Sequence, residues 1–189
     1  MSVTAMPTRT PAARRYVNPV IKDAATFLES TGERTVLEIE LAAGGGNTPH
    51  RHRTYAEHFT VREGRLTVVV DGASHELAPG DEVTAPSMSL HHFANPTGER
   101  AVFEVQLRPA HPGFEKAIRV AYGLAADGRT TKKAIPRNPL HTVLILDWSD
   151  MLVPGPLSLR PLLKLLATLA RALGVERALE RRYPPPSGR

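Results

Sequence analysis

Cysteine is absent from the 189 residues. That excludes disulfides, thiolate metal sites and cysteine nucleophiles, so any bound metal must be held by imidazole, carboxylate or thioether groups. Aromatic residues are scarce, at 5% of the chain, and nowhere do they interleave with a basic stripe of the kind that grips nucleic acid. A long uncharged apolar run is also lacking, because Arg160, Lys164 and Arg171 interrupt the most apolar region. The first fifteen residues hold three arginines and no hydrophobic stretch, which argues against a secretory signal and for a flexible arm over 1–15. We expect a soluble, cytoplasmic protein.

The net charge of +5 is unevenly spread. Residues 31–107 carry six arginines and eleven acidic residues, a balance of −5, so the remainder sums to +10. The middle of the chain would repel phosphates while its ends are basic, and no nucleic-acid partner is expected. With 41% hydrophobic residues the chain can bury one substantial core but is too short for two ordinary domains.

From about Arg34 to Leu107 the pattern repeats every two residues and is rich in Val, Ile, Thr and Phe, with turn residues at regular intervals. Segments 36–41, 57–63, 65–71, 74–78, 81–86 and 100–107 read as strands. Short strands without intervening helices predict a mainly β sandwich or barrel. After Arg108 the spacing becomes helical over 112–127, 138–150 and 158–173, with Asn138-Pro139 and Ser158 as start signals. The expected organisation is a β domain over 16–110, a helical extension over 111–183 packed on it or on a partner subunit, and a disordered tail over 184–189.

The stretch PHRHRTYAEHFTVREG, residues 49–64, concentrates the chemistry. His50 and His52 lie two apart on a presumed strand and so share a face, as do Glu57, Phe59 and Val61 on the next. If Phe59 and Val61 point into the core, Glu57 does too. A carboxylate buried among apolar residues is costly unless a cation or hydrogen bonds satisfy it, and a divalent metal beside two imidazoles does so. Ordinary polar residues on the wet face of a sheet are the alternative. Alternation also places Leu37, Ile39, Leu41, Leu66, Val68, Phe103 and Val105 inward, although strands 34–42 and 65–71 fit either face, whereas His58 and His92 should point outward. His75, His111 and His141 have no ligand spacing.

The spacing Gly44-x5-His50-x-His52-x4-Glu57-x6-Gly64, followed by Gly80-x5-Pro86-x-Met88-x2-His91-x3-Asn95, resembles the two motifs of the cupin superfamily. The resemblance covers about residues 34–107. It implies a jelly-roll barrel in which His50, His52, Glu57 and His91 bind one metal ion. Met88 departs from the pattern, since the family has Gly there, and its side chain must either leave the barrel or intrude at the mouth. Three imidazoles and a carboxylate suit Fe(II), which we favour, and equally Mn, Ni, Zn or Cu. The expected pocket is apolar, lined by Phe59, Val61, Met88, Phe103 and Val105, and suited to a small apolar or aromatic molecule. Glu57, as a base, and Tyr55, as a proton donor near the mouth, are the candidate catalytic groups, though a loop aromatic covering the rim is the plainer reading of Tyr55.

These features are consistent with an oxygenase or dioxygenase, with a non-redox metal-dependent isomerase, cyclase or lyase, and with a non-catalytic small-molecule binder. No Ser-based triad is recognisable. On a helical wheel Leu159, Leu162, Leu163, Leu166, Ala170 and Leu173 share one arc opposite Arg160, Lys164 and Arg171. That arc is expected to be buried against the barrel or in a homodimer; contact with an anionic membrane surface is the alternative.

Overall fold

The computed structural model describes residues 14–155 and 159–186. Its strands are β1 (Arg14–Asn18), β2 (Asp23–Ser30), β3 (Thr35–Leu41), β4 (Arg51–His52), β5 (Ala56–Glu63), β6 (Leu66–Val70), β7 (Ala73–Leu77), β8 (Glu82–Ala85), β9 (His91–Ala94), β10 (Ala101–Arg108) and β11 (Met151–Leu152). The helices are α1 (Pro112–Ala126), α2 (Pro139–Trp148), α3 (Arg160–Ala172) and α4 (Val175–Arg182). Every pairing is antiparallel. A six-stranded sheet runs β1-β2-β3-β10-β5-β8, a three-stranded sheet runs β7-β6-β9, and β11 pairs with β4. The mainly β architecture with a C-terminal helical extension is therefore present.

Alternation drives the core. Leu37, Ile39 and Leu41 of β3, Phe59 and Val61 of β5, Leu66 and Val68 of β6, and Phe103 and Val105 of β10 are all buried in one cluster that joins the two larger sheets. The period of two put Phe59, Val61, Phe103 and Val105 inward, and the structure settles the facing of β3 and β6, which fitted either side. The alternation marks neither β1 and β2 nor the four-residue β9 that carries His91. Strands β1 and β2 lie at one edge. They extend the sheet past β3, and β1 takes in Arg14 and Arg15, which had been placed in the N-terminal arm. Residues 1–13, the rest of that arm, lie outside the described residues, as do Ser158 and residues 187–189 of the tail.

Helix α1 joins the two parts of the chain. Phe114 and Tyr122 belong to the barrel core, while Ala117, Val120 and Leu124 contribute to a second core with Val143, Leu144 and Trp148 of α2, Ala167 and Ala170 of α3, and Leu179 of α4. The expected Asn138 cap is formed, its side chain accepting from the Leu140 amide at 2.9 Å. Asp23 of β2 is buried and accepts from the Tyr122 hydroxyl, which ties α1 to the sheet. Burial pushes the Asp23 carboxyl up to about 6, with the Tyr122 hydrogen bond only partly opposing it.

The leucine arc of α3 is only partly covered within one chain. Ala167 and Ala170 face the helical core, with Leu163 and Leu166 partly buried against it, whereas Leu159, Leu162 and Leu173 are exposed. Small alanines let α3 approach α2 closely, so the seam runs along the alanine side and the outer leucines face away from it. None of the described helices is long and apolar enough to cross a membrane.

Candidate metal centre

Four side chains from separate places in the chain converge inside the barrel. His50 follows Thr48 and Pro49 and bridges antiparallel to His91 at the start of β9. His52 sits on the two-residue β4, and Glu57 lies near the start of β5 with its side chain on the face of Phe59 and Val61. One ligand atom from each of His50, His52, Glu57 and His91 lies within 4.8 Å of the others. All four residues are at most 5% exposed. The inward orientation of Glu57, inferred from its shared face with Phe59 and Val61, is thus observed.

Hydrogen bonds fix which nitrogen each histidine presents. The His50 Nδ1 lies 2.8 Å from the Thr48 carbonyl and the His91 Nδ1 lies 3.0 Å from the Ser89 carbonyl. A carbonyl can only accept, so both Nδ1 atoms carry the proton. For His52 the partners are Tyr55 Oη at 2.7 Å and the Ser149 carbonyl at 3.2 Å. Since the Tyr55 hydroxyl donates to Ser149 at 2.8 Å, its oxygen accepts from His52 Nδ1, and this tautomer follows from the partners. The Nε2 lone pairs are left for the centre of the cluster.

Electrostatics then pose a problem that a cation solves. Glu57 Oε1 is 3.3 Å from His52 Nε2, and Oε2 is 3.3 Å from His91 Nε2. Neither Nε2 has a well-aligned hydrogen-bond partner. Burial alone would raise the Glu57 carboxyl, but the adjacent His52 and His91 hold it well below the usual carboxylate range. For His91 burial pulls the imidazole down and the Glu57 carboxylate more than offsets it. His50, which burial lowers to about 4, stays neutral. Three imidazole Nε2 atoms and a carboxylate gathered this closely out of water fit a divalent cation, and a metal-ligating histidine held through its other nitrogen is the usual arrangement. The cluster could hold one divalent metal ion.

Aromatic rings close around this cluster. Phe59 approaches the His91 ring edge-on at 6.4 Å, and Phe114 approaches His52 at 6.3 Å. Phe59, Val61, Phe103 and Val105, expected as pocket lining, are fully or nearly fully buried beneath it. Met88 is the exception, for it is 42% exposed and stands outside the barrel. Its φ of 67° keeps the left-handed turn that a glycine would adopt, and its amide donates to the His52 carbonyl at 2.6 Å. The side chain escapes outward instead of lining the pocket.

The place expected of Tyr55 changes. Tyr55 is 1% exposed and stacks on His52 at 4.4 Å, so it neither covers the rim nor stands at the mouth. Burial, with the Glu57 and Asp150 charges, raises its hydroxyl well above the ordinary value. It orients His52. His58 hydrogen-bonds Thr84 away from the cluster, and Asn95 is a structural residue whose amide donates to the Leu41, Ala42 and Glu99 carbonyls. His111, which showed no ligand spacing, packs 5.1 Å from the Tyr55 ring. The carbonyls of Thr48, Ser89 and Ser149 escaped the sequence reading because a backbone oxygen leaves no residue-type signature.

Residues 37–106 match the family model described as the cupin domain. The barrel belongs to the cupin superfamily. Solved structures similar to this cupin include a sugar phosphate isomerase from Silicibacter pomeroyi, 23% identical with a TM-score of 0.47, covering 53% of this chain and 73% of that one. An RmlC-like cupin from Shewanella frigidimarina is 21% identical with a TM-score of 0.48, covering 60% and 96%. The polyketide cyclase RemF from Streptomyces resistomycificus is 23% identical with a TM-score of 0.44, covering 58% and 76%. The activities in those names are those proteins' own. No curated protein matches the chain.

Proposed function

We propose that this cupin is a metal-dependent oxygenase acting on a small apolar or aromatic molecule, with one divalent transition metal, Fe(II) favoured, held by His50, His52, Glu57 and His91. The observation that carries the reading is the set of three imidazoles and one carboxylate, all buried, whose ligand atoms lie within 4.8 Å of one another. Bound there, an iron ion would supply oxygen activation, chemistry that the side chains themselves cannot provide.

The chain's own residues supply the surroundings. The Thr48, Ser89 and Ser149 carbonyls hold the imidazoles in one tautomer, and Phe59, Phe103 and Phe114 belong to the buried apolar core around the cluster. The apolar surroundings of the cluster support a small apolar or aromatic substrate, and the Asp150 carboxylate is taken up by Arg53 and Thr54.

Oxygen consumption by Fe(II)-loaded protein against a library of small aromatic and aliphatic molecules tests this. Turnover that needs oxygen is the expected result. Metal-loaded protein that stays at background with the whole library, or that turns over equally well with Zn(II) under anaerobic conditions, overturns it.

A further inference from the structure

Five consecutive residues of the barrel, Arg51 to Tyr55, are each bonded to the short corner that follows α2. Leu152 pairs with Arg51 and Met151 with His52. The Ser149 carbonyl accepts from Tyr55 Oη at 2.8 Å and lies 3.2 Å from His52 Nδ1. The Asp150 carboxylate accepts from the Arg53 amide at 3.0 Å and the Thr54 hydroxyl at 2.9 Å, and pairs with the Arg53 guanidinium. Among the described residues β4 has no other partner strand, although the Met88 amide also reaches the His52 carbonyl.

Asp150 is itself unusual. It is 4% exposed and takes a left-handed φ of 52° just after the α2 C-cap, where the chain turns out of the helix. The donors on its carboxylate fix that turn against the barrel. A corner held by hydrogen bonds against a cluster residue is more than packing of a helical appendage.

We propose that Ser149–Leu152 is a positioning element of the metal centre, so that docking of this corner and binding of a divalent metal are one coupled equilibrium. The proposal rests on the reading of the four-residue cluster as a metal site. With the corner docked, His52 is fixed with its Nε2 free. Undocked, β4 loses its sheet partner and Tyr55 its acceptor, and the imidazole is free to turn. Coupling of this kind is reciprocal: metal must tighten the corner by the same factor by which the corner tightens metal.

The experiment uses the full chain, stripped with chelator, and Zn(II) and Co(II) as probes. Calorimetric titration of wild type should give one Zn(II) per chain. Tyr55→Phe removes only a hydroxyl, and Asp150→Gly keeps the left-handed backbone while removing the carboxylate. Both should weaken Zn(II) by about 10–100-fold, the range for lost partners of metal ligands. Asp150→Asn, whose amide oxygen still accepts from Arg53 and Thr54, should recover most of the affinity. The Co(II) absorption bands should shift in Tyr55→Phe, and Zn(II) should slow hydrogen exchange at Met151 and Leu152 in wild type. Variants that bind Zn(II) as wild type does, with exchange at Met151 and Leu152 indifferent to Zn(II), overturn the coupling alone. Wild type that takes up neither ion overturns the metal reading, and the coupling with it.

Discussion

The Tyr55 hydroxyl donates to the Ser149 carbonyl at 2.8 Å, and through that bond the helical extension reaches the residue stacked on His52. Tyr55 lies between His52, on which it stacks, and His111 at the start of α1. The extension is thereby part of the site's architecture as well as of the fold. The expectations below follow from these contacts and from the burial of the groups that make them.

Met88→Gly should stabilise the protein by roughly 0.5–1 kcal/mol. The left-handed φ of 67° is strained for Met and free for Gly, and the exposed side chain forfeits little buried area. Chemical denaturation checks this, and Zn(II) affinity should be unchanged because the side chain points away from the cluster. A loss of stability would mean that Met88 makes contacts more valuable than the turn it strains.

Phe103 fills the barrel floor at 0% exposure, 5.0 Å from the Phe93 ring. Phe103→Ala should cost about 3–5 kcal/mol, the range for emptying an aromatic from a packed core. Urea unfolding measures it. A cost below about 1 kcal/mol would mean that the interior is loosely packed.

Asp23 makes stability depend on pH. Its folded carboxyl titrates at about 6, above the 3.8 of the unfolded chain, so the folded state binds the proton more tightly between those values. Its contribution is fully present below the unfolded value and is lost as pH rises through about 6. The loss amounts to roughly 3 kcal/mol, at about 1.4 kcal/mol per unit. His50, lowered to about 4, pulls the opposite way in the same window, so the comparison of wild type with Asp23→Asn isolates the effect. The advantage of Asp23→Asn should grow from pH 4 to pH 6 and then level off. A difference that stays flat across that window contradicts the burial of an ionisable Asp23.

The period-two pattern located β3, β5 and β10, and the inward residues of the last two, because each buries one face and leaves the other wet. It missed β1 and β2, where mixed polar and small residues such as Ala24, Ala25 and Thr26 blur the alternation. Strand β11 has two residues and no periodicity to read. At the site, His50, His52 and Glu57 were legible from face and spacing, while His91 came from the motif resemblance. Met88 and Tyr55 were misplaced for related reasons. The first depends on a backbone angle, and the second on a carbonyl almost a hundred residues away in the chain, neither of which residue type encodes.

The central claim is that His50, His52, Glu57 and His91 together bind one metal ion, and the most direct measurement is metal content per chain after loading and gel filtration. Wild type should retain about one equivalent of Fe(II) or Zn(II), and His91→Ala should retain far less while its circular dichroism stays that of a folded barrel. Wild type that emerges metal-free, or His91→Ala that keeps a full equivalent, would contradict it.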